Sequence, residues 1–359
     1  MSVKIIESVK AEFQLDVKTV TPLLQIEPSD SKNKDRLTKA SIVVTKKRKY
    51  VAEDGKIVDV PFFSANGYRG TIRRNLTSAI FGSIEETDLK KFSVDSIHLY
   101  ASGGGSSNDG MKNMNYADQV AFRQANPYLS CFGAGLSDLD GKLAVTDLTP
   151  TNKELRMIDY QYGVRFDETQ RGSILRPLLD EDSIKEYNDF IDKLRTATKS
   201  LIKLEDELKK LKDTYDKEKN DELAEQISDL EQKIAIEKEE KGMSYQQVYK
   251  AEFIIPGTQM SGSVSTRGGH KLNELERGMI LFGLIQTSQQ SIGSYARIGW
   301  GVNEWEVKDG DGNTLFKTVP NSKYSLAKET TITDLGKSIL KPFETWLESI
   351  NRDAIFLMK

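Results

Sequence analysis

The sequence predicts an α+β fold interrupted by one long helical excursion, and three observations carry that expectation. Strand-like alternation and helix-like three-four spacing succeed each other twice, once before residue 182 and once after residue 242. Between them, residues 182–242 keep helical spacing throughout, and no proline stands between Pro177 and Pro256. The 38% hydrophobic content of the 359 residues is ordinary for a chain that buries a core.

Residues 10–26 alternate as a strand, with Phe13, Leu15 and Val17 on one face, and the polar 27–39 reads as a loop. Residues 40–52 and 56–63 read as two arms of a hairpin around Glu53-Asp54-Gly55. A helix opened by Ser64 or Asn66 follows, its core stripe formed by Tyr68, Ile72, Leu76 and Ile80, and Gly82 ends it. The glycine- and serine-rich 101–110 is either a connector or a cradle of backbone donors. A helix over 116–124, an apolar turn-rich segment over 126–133 and a strand over 142–148 come next. The segment 126–133 is expected to pack rather than to react.

The excursion carries Leu201, Leu204, Leu208 and Leu211, then Leu223, Ile227, Leu230 and Ile234, at mostly three-four spacing. Acids precede bases by four residues, as in Glu205–Lys209 and Asp213–Lys217. These patterns predict two antiparallel helices meeting near 216–221, a short coiled-coil hairpin. Past it, 249–265 reads as strand broken at Pro256-Gly257, then a helix with Leu272, Leu275, Met279 and Phe282 inward. A glycine-rich 293–301 leads to strands flanking Asp309-Gly310-Asp311-Gly312, and a last helix shows Leu335, Ile339, Phe343, Trp346 and Ile350. Strand, helix, strand, excursion, strand, helix, strand is the order of a split βαβ, ferredoxin-like unit. The expected organisation is a core of 1–181 and 243–359 with 182–242 inserted as the helical hairpin.

Composition excludes several classes. One cysteine, Cys131, forbids an internal disulfide and points to the cytoplasm; with only His98 and His270, a structural zinc site is not expected. No apolar run has the length of a membrane helix, and the start lacks the apolar core of a secretory signal. Net charge is −3, but its distribution is uneven. Residues 182–242 hold 18 acids and 13 bases, a net of −5, which leaves +2 for the remainder. Local patches set the field that a ligand meets.

The stretch from Val60 to Arg74 is the sharpest functional signal. A strand passes through a small polar turn into a helix bearing Arg69, Arg73 and Arg74 in its first turns. Helix starts leave amides unpaired and partly positive, and guanidinium forks fit phosphate oxygens. Ser64, Asn66 and the three arginines therefore read as a phosphate-backbone site, or as a capped surface helix with solvated arginines. Lys46, Lys47, Arg48 and Lys49 lie in the first hairpin arm; strand residues alternate in direction, so two of the four can meet one ligand. Residues 154–177 interleave Arg156, Tyr160, Tyr162 and Arg165, a composition suited to base stacking or equally to an exposed hairpin.

Two stretches resemble one family. Phe62-Phe63-Ser64-Ala65-Asn66-Gly67-Tyr68-Arg69-Gly70-Thr71-Ile72-Arg73-Arg74 is similar to the first-helix motif of the RAMP proteins of CRISPR systems. Phe253-Ile254-Ile255-Pro256-Gly257-Thr258-Gln259-Met260-Ser261-Gly262, the helix after it and 293–301 resemble that family's second half with its glycine-rich loop. The look is that of a backbone subunit of multi-subunit effectors, type IV-like. The resemblance implies a modified RNA-recognition fold with a thumb near 154–177, polymerising along CRISPR RNA. It implies phosphate contacts from the helix arginines, the basic hairpin, Arg156, Arg165, Arg267, Tyr295 and Arg297. Expected partners are CRISPR RNA, a target DNA or RNA paired to it, copies of the chain itself and other effector subunits; no membrane, metal or cofactor is expected. The expected role is non-catalytic. Some family members cut target RNA with a loop aspartate, and Asp30 and Asp35 stand in a corresponding segment, which gives metal-dependent cleavage as the alternative. An RNA-processing endoribonuclease is a further alternative, although the glycine-rich loop carries no histidine.

Overall fold

The computed structural model describes residues 11–27, 41–52, 54–84, 100, 116–133, 139–152, 157–166, 180–218, 221–241, 246–267, 270–322 and 325–350. The fold is mixed α and β with antiparallel sheet pairing. It divides into two units, one formed by 1–33, 43–161 and 251–359, the other by 34–42 and 162–250.

In the first unit, β1 (Phe13–Thr19) alternates strictly, burying Phe13, Leu15, Val17 and Thr19 and exposing the residues between. That alternation makes it a central strand with one face on a core. It pairs with β10 (Asn303–Asp309) on one side and β9 (Gln259–Thr266) on the other, Phe13 standing opposite Asp309 and Val264. The sheet order is β12 (Lys328–Ile332), β11 (Thr314–Pro320), β10, β1, β9, β5 (Leu143–Val145), with β6 (Thr149–Pro150) also on β9. β12 was not expected from the sequence. Its run Lys328-Glu329-Thr330-Thr331-Ile332 is mostly polar, and it earns a ladder only because β11 offers an edge.

Helices α1 (Ala65–Gly82), α2 (Tyr116–Ala125), α3 (Pro127–Phe132), α6 (Glu274–Ser288) and α7 (Asp334–Ser349) belong to this unit. The α1 stripe Tyr68, Ile72, Leu76 and Ile80 is buried, as its spacing requires. A Cβ on Gly283 would stand 2.7 Å from Ile72 Cγ2, so glycine is what lets α6 approach α1 so closely. Asn273 and Glu276 form a reciprocal capping box at the start of α6. On α7 the inward residues include Leu340 and Phe343, whereas Leu335, expected in the core stripe, is exposed because it lies in the first turn. Residues 126–133, expected as a turn-rich segment, form α3: Asn126 Oδ1 accepts from Leu129 N at 3.0 Å, and Pro127 sits where a missing N–H costs nothing.

The expected basic hairpin is shorter than its sequence pattern. β3 (Lys47–Val51) pairs β4 (Ile57–Pro61), while β2 (Ser41–Val43) joins a different, three-stranded sheet of order β2, β8 (Gln246–Ile254), β7 (Ile158–Phe166). β7 carries the chain out of the first unit and β8 brings it back.

The second unit holds α4 (Glu181–Glu218) and α5 (Asp221–Lys241), which pack on each other. Leu201 and Ile234 are buried, and Lys212 Nζ donates to Glu231 Oε1 at 2.5 Å. Most of the other described side chains on both helices are exposed or half-buried, which agrees with the high charge of the segment. Among the described residues no helix is long and apolar enough to cross a membrane.

Candidate nucleic-acid interface

The start of α1 is built by three segments far apart in sequence. Phe63 exchanges both backbone bonds with Leu148, at 2.9 Å each, which sets Asp147 beside the helix entrance. Ser64 is the N-cap but its side chain caps nothing; Gln25 Nε2 donates to Ser64 Oγ at 2.7 Å and Gln25 Oε1 accepts from Ser64 N at 2.5 Å. Asp147 Oδ1 accepts from Ala65 N at 2.7 Å, while its Oδ2 accepts from Arg48 Nη2 at 2.5 Å. The first helix turn contains no acid of its own. An internal carboxylate therefore occupies the position that an open anion site would need. This differs from the sequence expectation, because Asp147 lies in the short link between β5 and β6 with no local pattern to mark it. Asn66 remains exposed.

The basic hairpin residues are also largely engaged. Arg48 stacks over Phe62 at 4.8 Å besides its bond to Asp147. On the opposite face, Lys47 Nζ donates to Glu252 Oε1 at 2.7 Å, and Thr45 N and Tyr160 Oη donate to the same buried carboxylate at 3.0 and 3.1 Å. Consecutive strand residues point to opposite sides, and each side supplies its own acid. Lys46 is half-buried and Lys49 exposed.

The helix arginines behave differently. Arg69 Nη2 donates to Phe132 O at 3.2 Å, with the guanidinium over the Phe132 ring at 5.4 Å. Burial lowers its pKa from the ordinary value, followed by the charge of Arg73; Tyr128 acts in the opposite sense and Arg267 adds to the lowering. No carboxylate stands among those influences. Arg267 is exposed and comes from beyond the end of β9, almost two hundred residues away in sequence. Arg74, exposed one residue further along α1, donates to Thr71 Oγ1 at 3.0 Å. Tyr128 is stacked on Tyr100 at 4.6 Å, and burial raises its hydroxyl pKa to about 12. Neighbouring Cys131 is fully buried with its thiol pKa pushed up, so this segment packs, as its composition suggested.

The glycine-rich loop abuts the same entrance. Ser294 N donates to Leu24 O at 2.7 Å and Gly301 N to Pro22 O at 2.8 Å, next to the Gln25 that holds Ser64. A Cβ on Gly293 would lie 2.5 Å from Leu24 O and 3.3 Å from Phe63 Cε2, and its φ of 91° suits glycine. Tyr295 adopts a left-handed φ of 62°, its ring edge-on to Trp300 at 5.2 Å. Arg297 is exposed in a short 3-10 turn of this loop.

Arg156, Asp30 and Asp35 lie outside the described residues, as does the side chain of Arg165, whose backbone is in β7. Much of the expected thumb, and the 101–110 loop, are likewise outside them. Among the described residues no group of three or more acidic, histidine or cysteine side chains is placed to hold a metal ion.

No family model matches the sequence, and no curated protein matches it. Among solved structures, the fold is similar to a chain of a "Type IV-B CRISPR Complex", at 11% identity and a TM-score of 0.46, covering 82% of this chain and 90% of that one.

Proposed function

We propose that the chain is an RNA-holding backbone subunit of a CRISPR effector complex, gripping the phosphates of a guide strand without reading most of its bases. The observation that carries the reading is the placing of Arg69 and Arg73 one helical turn apart on α1, with Arg69 bonded to the Phe132 carbonyl and Arg267 near enough to act on its charge. Like charges gathered at a partly buried point raise each other's free energy, and an external polyanion relieves that cost. Two further features support it. The central strand order β10, β1, β9, β5, all antiparallel, with α1 following β1 and α6 preceding β10, supports a split βαβ, RNA-recognition-like reading of the core. The two motifs that resemble RAMP proteins fall on α1 with its entrance, and on β8, β9 and the loop that abuts it.

In this reading Arg69, Arg73, Arg74 and Arg267 hold phosphates, with Lys46, Lys49, Arg297 and Tyr295 flanking them. Arg156 and Arg165 extend the track on composition alone. Phosphate contacts carry no letter information, which suits a subunit that must leave guide bases able to pair. The α4–α5 hairpin, net negative, stands apart from this chemistry and is read as a contact arm.

Salt titration of RNA binding by the purified chain tests the proposal. Each neutralised phosphate on a single strand contributes about −0.7 to the slope of log affinity against log salt. A slope of about −2 or steeper is the expected result. A flat response overturns the reading and favours assembly through the helical arm.

A further inference from the structure

The ribbon of β3 and β4 ends in an apolar tip. Val51 stands directly opposite Ile57, and on the other face Tyr50 stands opposite Val58. Val51 and Ile57 are 62% and 67% exposed. Backbone bonds close the turn beyond them, Ala52 N to Lys56 O at 2.8 Å and Gly55 N to Ala52 O at 2.9 Å. A ribbon of two strands is marginal in water unless one of its faces is covered. Its root is covered, since Val60 and Pro61 are buried and Lys47 and Arg48 meet their acids. Its aliphatic tip is not. Charge argues against RNA as the cover: residues 50–59 hold one lysine and three acids, which repel a polyanion.

The same unit carries a hollow of matching character. The turn between β8 and β9 and the segment leaving β6 enclose about 510 Å³, with Thr151, Met157, Ile255, Pro256 and Gln259 among the walls and no charged residue in them. Ile255 N donates to Met157 O and Thr151 N to Gln259 O, both at 2.9 Å, so the two walls are tied to each other. The hollow is thus preformed and roomy enough for a pair of aliphatic side chains. The tip of the same chain does not fill it, because Val51 and Ile57 are exposed.

Tip and hollow are different surfaces of one unit. A contact between them joins two copies head to tail and leaves each pair with one of either surface for the next copy. We propose that the β3–β4 tip of one copy seats Val51 and Ile57 in this hollow of a second copy. The inference rests on the backbone reading above and assigns the surfaces by which neighbouring copies on one strand touch.

Two oligouridines test it, one just long enough for a single copy and one long enough for several. On the long one the wild type is expected to bind cooperatively. Val51→Glu with Ile57→Lys keeps a compatible cross-strand pair but makes the tip polar. Thr151→Lys with Gln259→Glu charges the hollow. Each double variant is expected to lose at least about tenfold in cooperativity, since burying even one aliphatic side chain is worth that much. Affinity and salt slope on the short oligomer should not change. Thermal melts check folding, and Ile57→Thr alone is the milder variant. An equal mixture of the two variants keeps one working junction per pair, so mass photometry should find pairs on the long oligomer and no longer runs. Non-cooperative wild-type binding, cooperativity that either variant keeps, or a mixture without pairs overturns the contact and leaves the phosphate reading intact. Tip-dependent self-association of a wild type that retains no RNA overturns the phosphate reading and leaves the contact. A chain that does neither overturns both.

Discussion

Two groups of cations in this molecule look alike in the sequence and differ in the fold. Lys47 and Arg48 of β3 each meet an acid from a distant segment, Glu252 and Asp147, at 2.7 and 2.5 Å. Arg69 bonds the Phe132 carbonyl instead and feels the like charges of Arg73 and Arg267. A basic run is therefore not an anion site by itself; what matters is whether the fold has already supplied the counter-charge. Lys328 gives a third case. Its ammonium donates to Ser288 O and Gln290 O at 2.7 and 2.9 Å, the carbonyls that end α6, and burial lowers its pKa to about 8.

The sharpest way to break the comparison is to remove one group at a time. Replacing Arg69, Arg73 and Arg267 together by alanine is expected to weaken RNA binding at least about a hundredfold and to make the salt slope shallower by about 2. Filter binding across a salt series reads both; an unchanged slope would show that these side chains touch no phosphate. Replacing Glu252 by Gln strips the buried partner of Lys47, Thr45 N and Tyr160, and should destabilise the fold by about 2–3 kcal/mol in urea unfolding. Its RNA affinity, measured where the variant is folded, should stay within about twofold, since Lys47 lies on the face of β3 opposite Arg48.

A smaller effect sharpens the comparison rather than breaking it. Asp147→Asn keeps an acceptor for Ala65 N but releases the charge of Arg48, whose side chain is 63% exposed. Stability should fall by less than about 1 kcal/mol, and the RNA salt slope should steepen by about 0.7 as Arg48 becomes available to a phosphate. Weaker RNA binding would instead mean that Asp147 holds Arg48 in its working position.

The smallest expected effect concerns pH. The folded-state pKa of Lys328, about 8, lies below the ordinary 10.5, so between these values the unfolded chain binds more protons. Stability should therefore rise with pH across that window, by less than about 1 kcal/mol per pH unit after the two carbonyl bonds are allowed for. Lys328→Met should lose that slope in urea unfolding at pH 8, 9 and 10, and a slope that persists assigns it to another group.

The sequence was most legible where one period repeats and burial follows from it. The α1 stripe, the alternation of β1 and the long α4–α5 segment could be written down from spacing. Legibility stopped where a residue's meaning depended on a partner far along the chain. Residues 40–52 read as one hairpin arm, yet β2 and β3 enter different sheets, because pairing partners lie outside the local pattern. Asp147 and Gln25 carry no motif, although they fill the entrance to α1.

By itself, then, the sequence determined the kinds and order of elements and the placing of three arginines on one helix, because backbone geometry converts residue spacing directly into shared faces. Only the tertiary structure decided which cations are neutralised and which converge. Electrostatic pairing acts through space over a few ångströms, and chain distance says nothing about it.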